Sequence, residues 1–378
     1  MLVYGIVLGL PGTVLGLPET AAELGLTLTS RGSLIAALFV GLLVGCLLSG
    51  PIVDEIGYRA TLALSSGLVA LALPLLASVR TPLFAGAAIV ALGVAAAGMN
   101  TASNALSSDL FPGDRARRMN RLAILVGIGG VLMPVATVVS SVAVSWRTIV
   151  VAGGVLALLV ALACAFVPPA TPTSRRHSTV EAIRRFARRP GFLWLCAALL
   201  LGGGNEAALA GWISTYSQAA GFSAGTATWV LASHWLGLIL ARVTLSPRVE
   251  RTKAAAVFRS AIAGAVCVGV LVVVRGHVWL AILPFGVGLA IALVVPTMLA
   301  LSGDKYPGST GALFGLLLTL LQIGGIALPA AIGFVSERAG LRPGLSIVAV
   351  SCVCVAACVR LSLRGNQVES GSTSEETA

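Results

Sequence analysis

Glu206 is an acidic residue deep inside a long apolar stretch, at 191–217, and its type suits proton or ligand chemistry. An ionisable side chain within a membrane span is costly to bury, so it usually serves a function. Apolar surroundings disfavour the charged carboxylate, so Glu206 could bind and release a proton near neutral pH. The structural alternative is that Glu206 only hydrogen-bonds a neighbouring helix.

Other polar and aromatic side chains within apolar runs complete a candidate binding site. Trp212 and Tyr216 are four residues apart and share one helix face, as do Asn100 and Asn104. Aromatic faces with a few hydrogen-bonding groups suit a sugar or another amphipathic solute, although helix packing would use the same aromatics and His234. The candidate substrate-binding residues are Asn100, Asn104, Asn205, Glu206, Trp212, Tyr216, His234, Trp235, Thr297 and Gln322.

The composition excludes an ordinary soluble domain. Apolar residues make up 57% of the 378 residues, charged residues only 10%, and the mean hydropathy is +0.98. A soluble domain carries about 25% charged residues. Continuous apolar runs of about 20 residues recur, each long enough to cross a bilayer as a helix. Because these runs do not alternate, we expect an all-α polytopic membrane protein with twelve transmembrane helices, not a barrel.

An internal repeat divides the chain into two halves. The segment LSSDLFPG at 106–113, followed by Ile128-Gly129-Gly130, returns as LSGDKYPG at 301–308, followed by Ile323-Gly324-Gly325. Matched positions differ by 195 residues, as Asp109 and Asp304 do. This duplication predicts two pseudo-symmetric six-helix bundles, an arrangement typical of transporters with a site at the repeat interface. Glycine and proline clusters in these segments are expected to allow close helix approach.

Charge in the connections predicts the orientation. If both termini lie on one side, 19 of the 25 basic residues fall on that side, which the positive-inside rule assigns to the cytoplasm. We therefore expect a multi-pass protein of the plasma (inner) membrane with cytoplasmic termini. The predicted organisation is an N-terminal bundle (1–168), a cytoplasmic linker with a basic amphipathic helix (169–190), a C-terminal bundle (191–363) and a disordered cytoplasmic tail (364–378).

The connection after the second apolar run carries the pattern G-x-x-x-D-x-x-G-x-R, from Gly50 to Arg59. It resembles the inner-loop signature of the major facilitator superfamily, although Tyr58 replaces the usual basic residue after the second glycine. The resemblance implies that the aspartate locks the inner gate, and a carboxylate at a helix N-terminus suits that role. The candidate gating residues are the aspartate and arginine of this motif pattern and the matched aspartates of the repeat: Asp54, Arg59, Asp109 and Asp304.

A closer resemblance is to the fucose-permease-like group of sugar:proton symporters. The segment GMNTASNA at 98–105 is similar to that group's G-x-E-T-A-x-N-P, and the segments 204–207 and 233–237 are similar to segments of its members. In that group an aspartate of the first span and a glutamate of the fourth are tied to proton coupling and substrate. Here Val14 and Asn100 occupy these positions. Neither side chain titrates, so Glu206 is left as the candidate for proton coupling.

These observations favour a secondary active transporter that moves a small polar solute, with a sugar implied by the resemblance. The sequence has no phosphate-binding loop and no nucleophile–base arrangement, so we expect no enzyme activity, no cofactor and no metal. Expected partners are a small-molecule substrate, the lipid bilayer and protons, without nucleic acid, and the family suggests a monomer. One alternative is an exporter of drugs or hydrophobic compounds on the same fold. Another is a non-transporting membrane receptor or scaffold.

Overall fold

The computed structural model describes residues 1–110, 115–140, 145–166, 190–245, 252–305 and 310–375. Apart from Pro190, the segment predicted to be a linker with an amphipathic helix lies outside these residues. All regular structure in the described ranges is helical. The helices are numbered below as spans one to twelve, each corresponding to one crossing of the membrane.

Span one consists of Leu2–Leu10 and a π-helical turn, Pro11–Leu15, and it is followed at an angle of 77° by Pro18–Leu24. The other helices are Leu28–Ser78 (spans two and three), Pro82–Leu110 (four), Arg115–Ser140 (five), Trp146–Ala163 (six), Pro190–Ala219 (seven), Ala224–Thr244 (eight), Lys253–Val273 (nine), His277–Ile291 and Val294–Lys305 (ten), Thr310–Ala339 (eleven) and Leu341–Glu375 (twelve).

Twelve spans follow from these lengths. Ten described helices are long and apolar enough to cross a membrane, and the bent first segment makes eleven. The helix Leu28–Ser78 supplies two crossings because it is interrupted at Gly57, where φ is 80°. A residue with a side chain rarely adopts that φ, so the second glycine of the inner-loop motif is required by the turn. The structure thus confirms the predicted all-helical, twelve-span architecture.

The antiparallel spans define two ends of the bundle. The motif end carries the turn at Gly57, and the far end carries the start of span two at Leu28 and the end of span eleven at Ala339. Large apolar side chains such as Leu71 and Leu83 are 71% and 80% exposed on the outer surface. Such exposure would be unfavourable in water and is appropriate to lipid contact.

Span twelve continues to Glu375, so the backbone is helical over most of the segment that the sequence predicts to be a disordered tail. The transmembrane part of the helix is already formed when the polar residues begin. Each further residue then adds a hydrogen bond without the cost of a new helix nucleus. Polar composition alone therefore did not mark the end of this helix.

The first glycine of each duplicated Gly-Gly pair packs inside its own half. A Cβ atom at Gly129 of span five would meet the backbone of Leu2 and Gly5 in span one. A Cβ atom at Gly324 of span eleven would meet the backbone of Leu200 and Gly204 in span seven. The repeat therefore places the same close helix crossing in both halves, as its glycines predicted.

The second glycine of each pair faces an aromatic ring from the opposite half. A Cβ atom at Gly130 would lie 2.6 Å from the Trp235 ring of span eight. A Cβ atom at Gly325 would collide with the Phe39 ring of span two. Spans five and eight, and spans eleven and two, thus cross between the halves by the same ring-on-glycine contact. The two contacts are related by the internal pseudo-symmetry.

Candidate functional site

An ion pair joins two neighbouring spans of the second half. Arg242 Nη2 of span eight donates to Glu206 Oε1 of span seven at 2.7 Å. The Arg242 side chain is only 6% exposed, whereas Glu206 is 25% exposed. A charge buried this deeply needs a partner, and each residue supplies one for the other. The carboxylate is the more accessible member of the pair.

Span ten is broken beside this ion pair, between Ile291 and Val294. A helix end leaves backbone carbonyl groups without intrahelical partners. Neighbouring side chains supply donors there: Arg242 Nε lies 3.5 Å from the Ala292 carbonyl oxygen, and the Ser260 hydroxyl donates to the Ala290 carbonyl. Arg242 therefore connects the Glu206 carboxylate to the break in span ten.

Polar groups from both halves lie near one another. The side chain of Gln322 in span eleven lies close to the Tyr4 hydroxyl in span one and to the Cys46 thiol in span two. The Thr101 hydroxyl of span four approaches the same thiol. Glu206 lies within electrostatic range of Tyr4. We call the following residues the central polar cluster: Tyr4, Cys46, Thr101, Glu206, Arg242 and Gln322.

The central polar cluster retains an unused acceptor. Gln322 is 2% exposed, yet its carbonyl oxygen Oε1 has no hydrogen-bond partner among the described residues. Such an atom is costly to bury unless a water molecule or ligand supplies a donor.

On span four, Asn104 donates to the Asn100 side-chain oxygen at 2.8 Å and to its backbone carbonyl at 2.9 Å, so these two amides are already joined.

Comparison with known proteins decides the family. The sequence profile described as Major Facilitator Superfamily matches residues 1–329. The chain belongs to this superfamily. It is therefore a multi-pass transporter rather than an enzyme. A search of curated protein sequences found no significant match.

Solved structures of two superfamily transporters share the fold. A single-residue variant of the nucleoside transporter NupG is 16% identical, with 96% of this chain and 97% of that chain covered and a TM-score of 0.78. A second NupG structure has a TM-score of 0.73 at 15% identity, covering 96% of each chain. A single-residue variant of the Escherichia coli fucose:proton symporter FucP is 18% identical over 96% of each chain, with a TM-score of 0.68.

Two predicted substrate-binding aromatics of the transporter make hydrogen bonds within the second half. Trp212 is fully buried, and its indole nitrogen donates to the Pro329 carbonyl of span eleven at 3.2 Å. Tyr216 is 4% exposed, and its hydroxyl donates to the Leu271 carbonyl of span nine at 3.0 Å. Both residues hold neighbouring spans to span seven and lie apart from the central polar cluster.

Span eight places its two candidate residues differently. His234 is fully buried; Nδ1 lies 3.2 Å from the Pro284 carbonyl of span ten, and Nε2 has no partner among the described residues. Trp235 lies at the interface of the halves against Gly130, and its indole nitrogen likewise has no partner in that part of the chain. His234 is within electrostatic range of the Glu206–Arg242 pair.

The remaining candidates lie inside the second half. The Asn205 amide donates to the Cys352 sulfur of span twelve at 3.3 Å, and both line a small cavity of about 10 Å³ beside the break in span ten. A cavity of that size holds about one water molecule. Thr297 is 8% exposed, one turn beyond the break. Of the ten predicted residues, Glu206 and Gln322 are the two within the central polar cluster.

The backbone positions of all four predicted gating residues lie at the motif end. Asp54 is exposed and Arg59 partly exposed beside the turn at Gly57. Asp109 lies in the last turn of span four and Asp304 in the last turn of span ten. The side chains of Asp109 and Asp304 are outside the described part of the structure.

Sequence reasoning missed four members of the central polar cluster: Tyr4, Cys46, Thr101 and Arg242. Tyrosine and cysteine are common in membrane helices, and no pattern distinguished Tyr4 or Cys46. Thr101 lies in the segment GMNTASNA, but the resemblance there did not single it out as a binding residue. Arg242 carried a signal, because it lies in the last turn of an apolar helix, but arginine at such a position usually extends toward the membrane surface. Its burial depends on how spans seven, eight and ten pack.

Proposed function

We propose that this transporter is a secondary active carrier that moves a small, uncharged polar solute, preferably a sugar, across the plasma membrane by alternating access. The observation that carries the proposal is the central polar cluster, to which both halves contribute. A solute bound between two halves can be released to either side when the halves rock against each other. We further propose that the protein acts as a monomer with both termini in the cytoplasm.

The charge of the cluster supports an uncharged solute. Glu206 and Arg242 balance one another, and the other members are neutral side chains that donate or accept hydrogen bonds. The Gln322 carbonyl and the partly exposed Glu206 carboxylate are acceptors, so they suit a ligand with hydroxyl donors. The solved relatives act on fucose and on nucleosides by name, and both solutes carry several hydroxyl groups.

Proton coupling is proposed at Glu206. A proton on this carboxylate removes the negative partner of Arg242, so proton binding and the ion pair exclude one another. A solute that binds the site better when Glu206 is protonated would be carried together with the proton. This preference would link solute to proton without the two acids that fucose-permease-like symporters use, whose positions are Val14 and Asn100 here.

Roles for the other predicted residues complete the proposal. Asn100, Asn104 and His234 would complete the solute site as the halves rearrange. At the motif end we propose that Asp54 and Arg59 stabilise the state in which this end is closed, with Asp109 and Asp304 in matching positions of the repeat. Asn205, Trp212, Tyr216, Trp235 and Thr297 are kept as proposed substrate-binding residues, to be separated from packing residues by mutation.

The test is thermal stabilisation of the purified protein by a library of sugars, nucleosides, polyols and lipophilic cations at about pH 5.5 and about pH 7.5. A ligand that binds only the folded state raises the melting temperature by mass action. We expect a sugar or nucleoside to do so, and to enter proteoliposomes in a counterflow assay. Stabilisation by lipophilic cations alone would overturn the proposal in favour of a drug exporter. Specific binding without flux would favour a receptor.

A further inference from the structure

Three hydrogen bonds join the two halves at the far end. Glu337 Oε2 of span eleven accepts from the Thr29 backbone N–H of span two at 2.9 Å. Gln218 Nε2 of span seven donates to the Gly16 carbonyl at 2.8 Å. The third bond runs from Arg31 Nη1 to the Thr215 hydroxyl at 3.3 Å. Together they tie spans seven and eleven of the second half to spans one and two of the first.

The Glu337 contact has a specific electrostatic basis. Thr27 is the N-cap of the span-two helix, and its hydroxyl accepts from Ser30, while Thr29 lies in the first turn. The N–H groups of a first helical turn have no partner within the helix, and the helix dipole makes this end positive. A carboxylate placed there gains both a charge-assisted hydrogen bond and a favourable dipole interaction. Glu337 thus completes the cap of a helix that belongs to the other half.

Close packing surrounds this contact. One helical turn below it, Cβ atoms at Gly32 of span two or Gly333 of span eleven would lie 3.1 Å from the other glycine's Cα atom. The same Cβ atoms would lie 3.3 Å from the Trp212 ring, whose indole nitrogen donates a hydrogen bond to the Pro329 carbonyl. The two halves cannot separate at the far end unless the Gly32–Gly333 crossing and the Glu337 contact both break.

We propose that Glu337 is a gating residue: its carboxylate on the N-terminus of span two holds the far end closed. The inference rests on the proposed alternating access, and it places a gate at the end opposite Asp54. The contact is well suited to repeated breaking because Glu337 is exposed, so water can solvate the carboxylate when the gate opens. A surface contact of this kind favours the closed form by only about fivefold.

The test is hydrogen–deuterium exchange of the ligand-free protein with Glu337→Gln, which keeps the size of the side chain and removes its charge. The Thr29 amide itself will exchange faster whether or not the gate opens, so it is not diagnostic. The diagnostic segment is 213–219, at the end of span seven. Glu337 makes no hydrogen bond to this segment among the described residues. We expect its amides to exchange about twofold to fivefold faster, because an open far end admits water to this helix end.

Glu23→Gln is the matched control. Glu23 is also a far-end glutamate, but its ion pair with Arg147 at 2.7 Å lies within the first half. We expect this change to leave exchange in 213–219 unaltered. A Glu337→Gln effect confined to the first turn of span two, or spread evenly over all helices, would overturn the proposal. Because no solute is added, this outcome is independent of whether the protein transports a sugar.

Discussion

At the scale of single residues, the proposed proton chemistry rests on Glu206 and Arg242. Their 2.7 Å ion pair joins a nearly buried guanidinium to a carboxylate that remains 25% exposed. A proton on Glu206 would release Arg242, whose Nε already lies 3.5 Å from the Ala292 carbonyl at the break in span ten. Protonation of one side chain therefore has a direct physical route to the geometry of a neighbouring helix.

Replacing Glu206 with glutamine tests proton coupling. We expect uptake of the stabilising solute to lose its dependence on pH between about pH 5.5 and about pH 7.5, because the amide does not titrate in that range. In the unmodified protein, uptake should be faster at the lower external pH, where protons are available to drive import. Uptake into proteoliposomes measures this, with Glu23→Gln as the control carboxylate. A pH profile that Glu206→Gln leaves unchanged would eliminate Glu206 as the proton site.

Replacing Arg242 with glutamine tests whether the pair acts as a unit. The single change leaves the Glu206 carboxylate without its cation, and we expect about 1–3 kcal/mol of destabilisation and a lower melting temperature. Combining Arg242→Gln with Glu206→Gln should restore part of the loss, because no unpaired charge remains. Melting curves of the two single variants and the double variant measure the coupling. Additive losses would show that the two residues stabilise the protein independently.

The sequence predicted one member of this pair and not the other. Glu206 is conspicuous because acidic residues are rare inside apolar helices. Arg242 is 36 positions further along, as an arginine in the last turn of the next span, where a basic residue is ordinary. Tyr4 and Cys46 gave no signal either, because their contacts with Gln322 depend on the packing of the two halves.

At the scale of helices, the duplicated Gly-Gly segment has two different tasks. Gly129 and Gly324 bring spans together within a half, whereas Gly130 and Gly325 accept an aromatic ring from the other half. The ring-on-glycine contacts lie between the two halves, which would slide against each other in the proposed alternating access. A flat ring against a surface without a side chain offers little steric resistance to such movement.

Substituting these second glycines with alanine should obstruct that interface. In Gly325→Ala the new methyl group collides with the Phe39 ring, so we expect impaired transport and a lower melting temperature. Adding Phe39→Leu should recover activity by removing the ring. Gly269→Ala in span nine is the matched control, since nothing lies within 4 Å of that position and alanine favours helix by about 1 kcal/mol. A Gly325→Ala protein as active as the control would contradict this interpretation.

The repeat allowed the halves and their close crossings to be predicted, because the same residues recur at a fixed offset. It did not reveal which glycine of each pair faces which helix, since a one-residue step turns a position by about 100° around the helix. The same limitation applies to Trp212 and Tyr216. Their four-residue spacing predicted one shared face of span seven, but it left open whether each side chain meets solute or a neighbouring span.

At the scale of the whole molecule, twelve spans place both chain ends at the motif end. The number of spans depends on the bend after Leu15 and on the turn at Gly57. Helix length alone would give a different number. The sequence predicts 19 of the 25 basic residues on the side of the termini, so the positive-inside rule predicts that this side is cytoplasmic. A miscounted span would move one terminus to the far end and abolish this agreement.

Reporter fusions in a bacterial host test that topology. We expect green fluorescent protein fused after Ala378 to fluoresce and alkaline phosphatase fused there to be inactive, because that enzyme matures only outside the cytoplasm. Fusions after Gly340, in the far-end connection between spans eleven and twelve, serve as the matched control and should give the opposite pattern. Active phosphatase after Ala378 would refute the cytoplasmic C-terminus. Because the termini and the motif end share one side, it would also move the gate at Asp54 to the outer face and the Glu337 contact to the inner face.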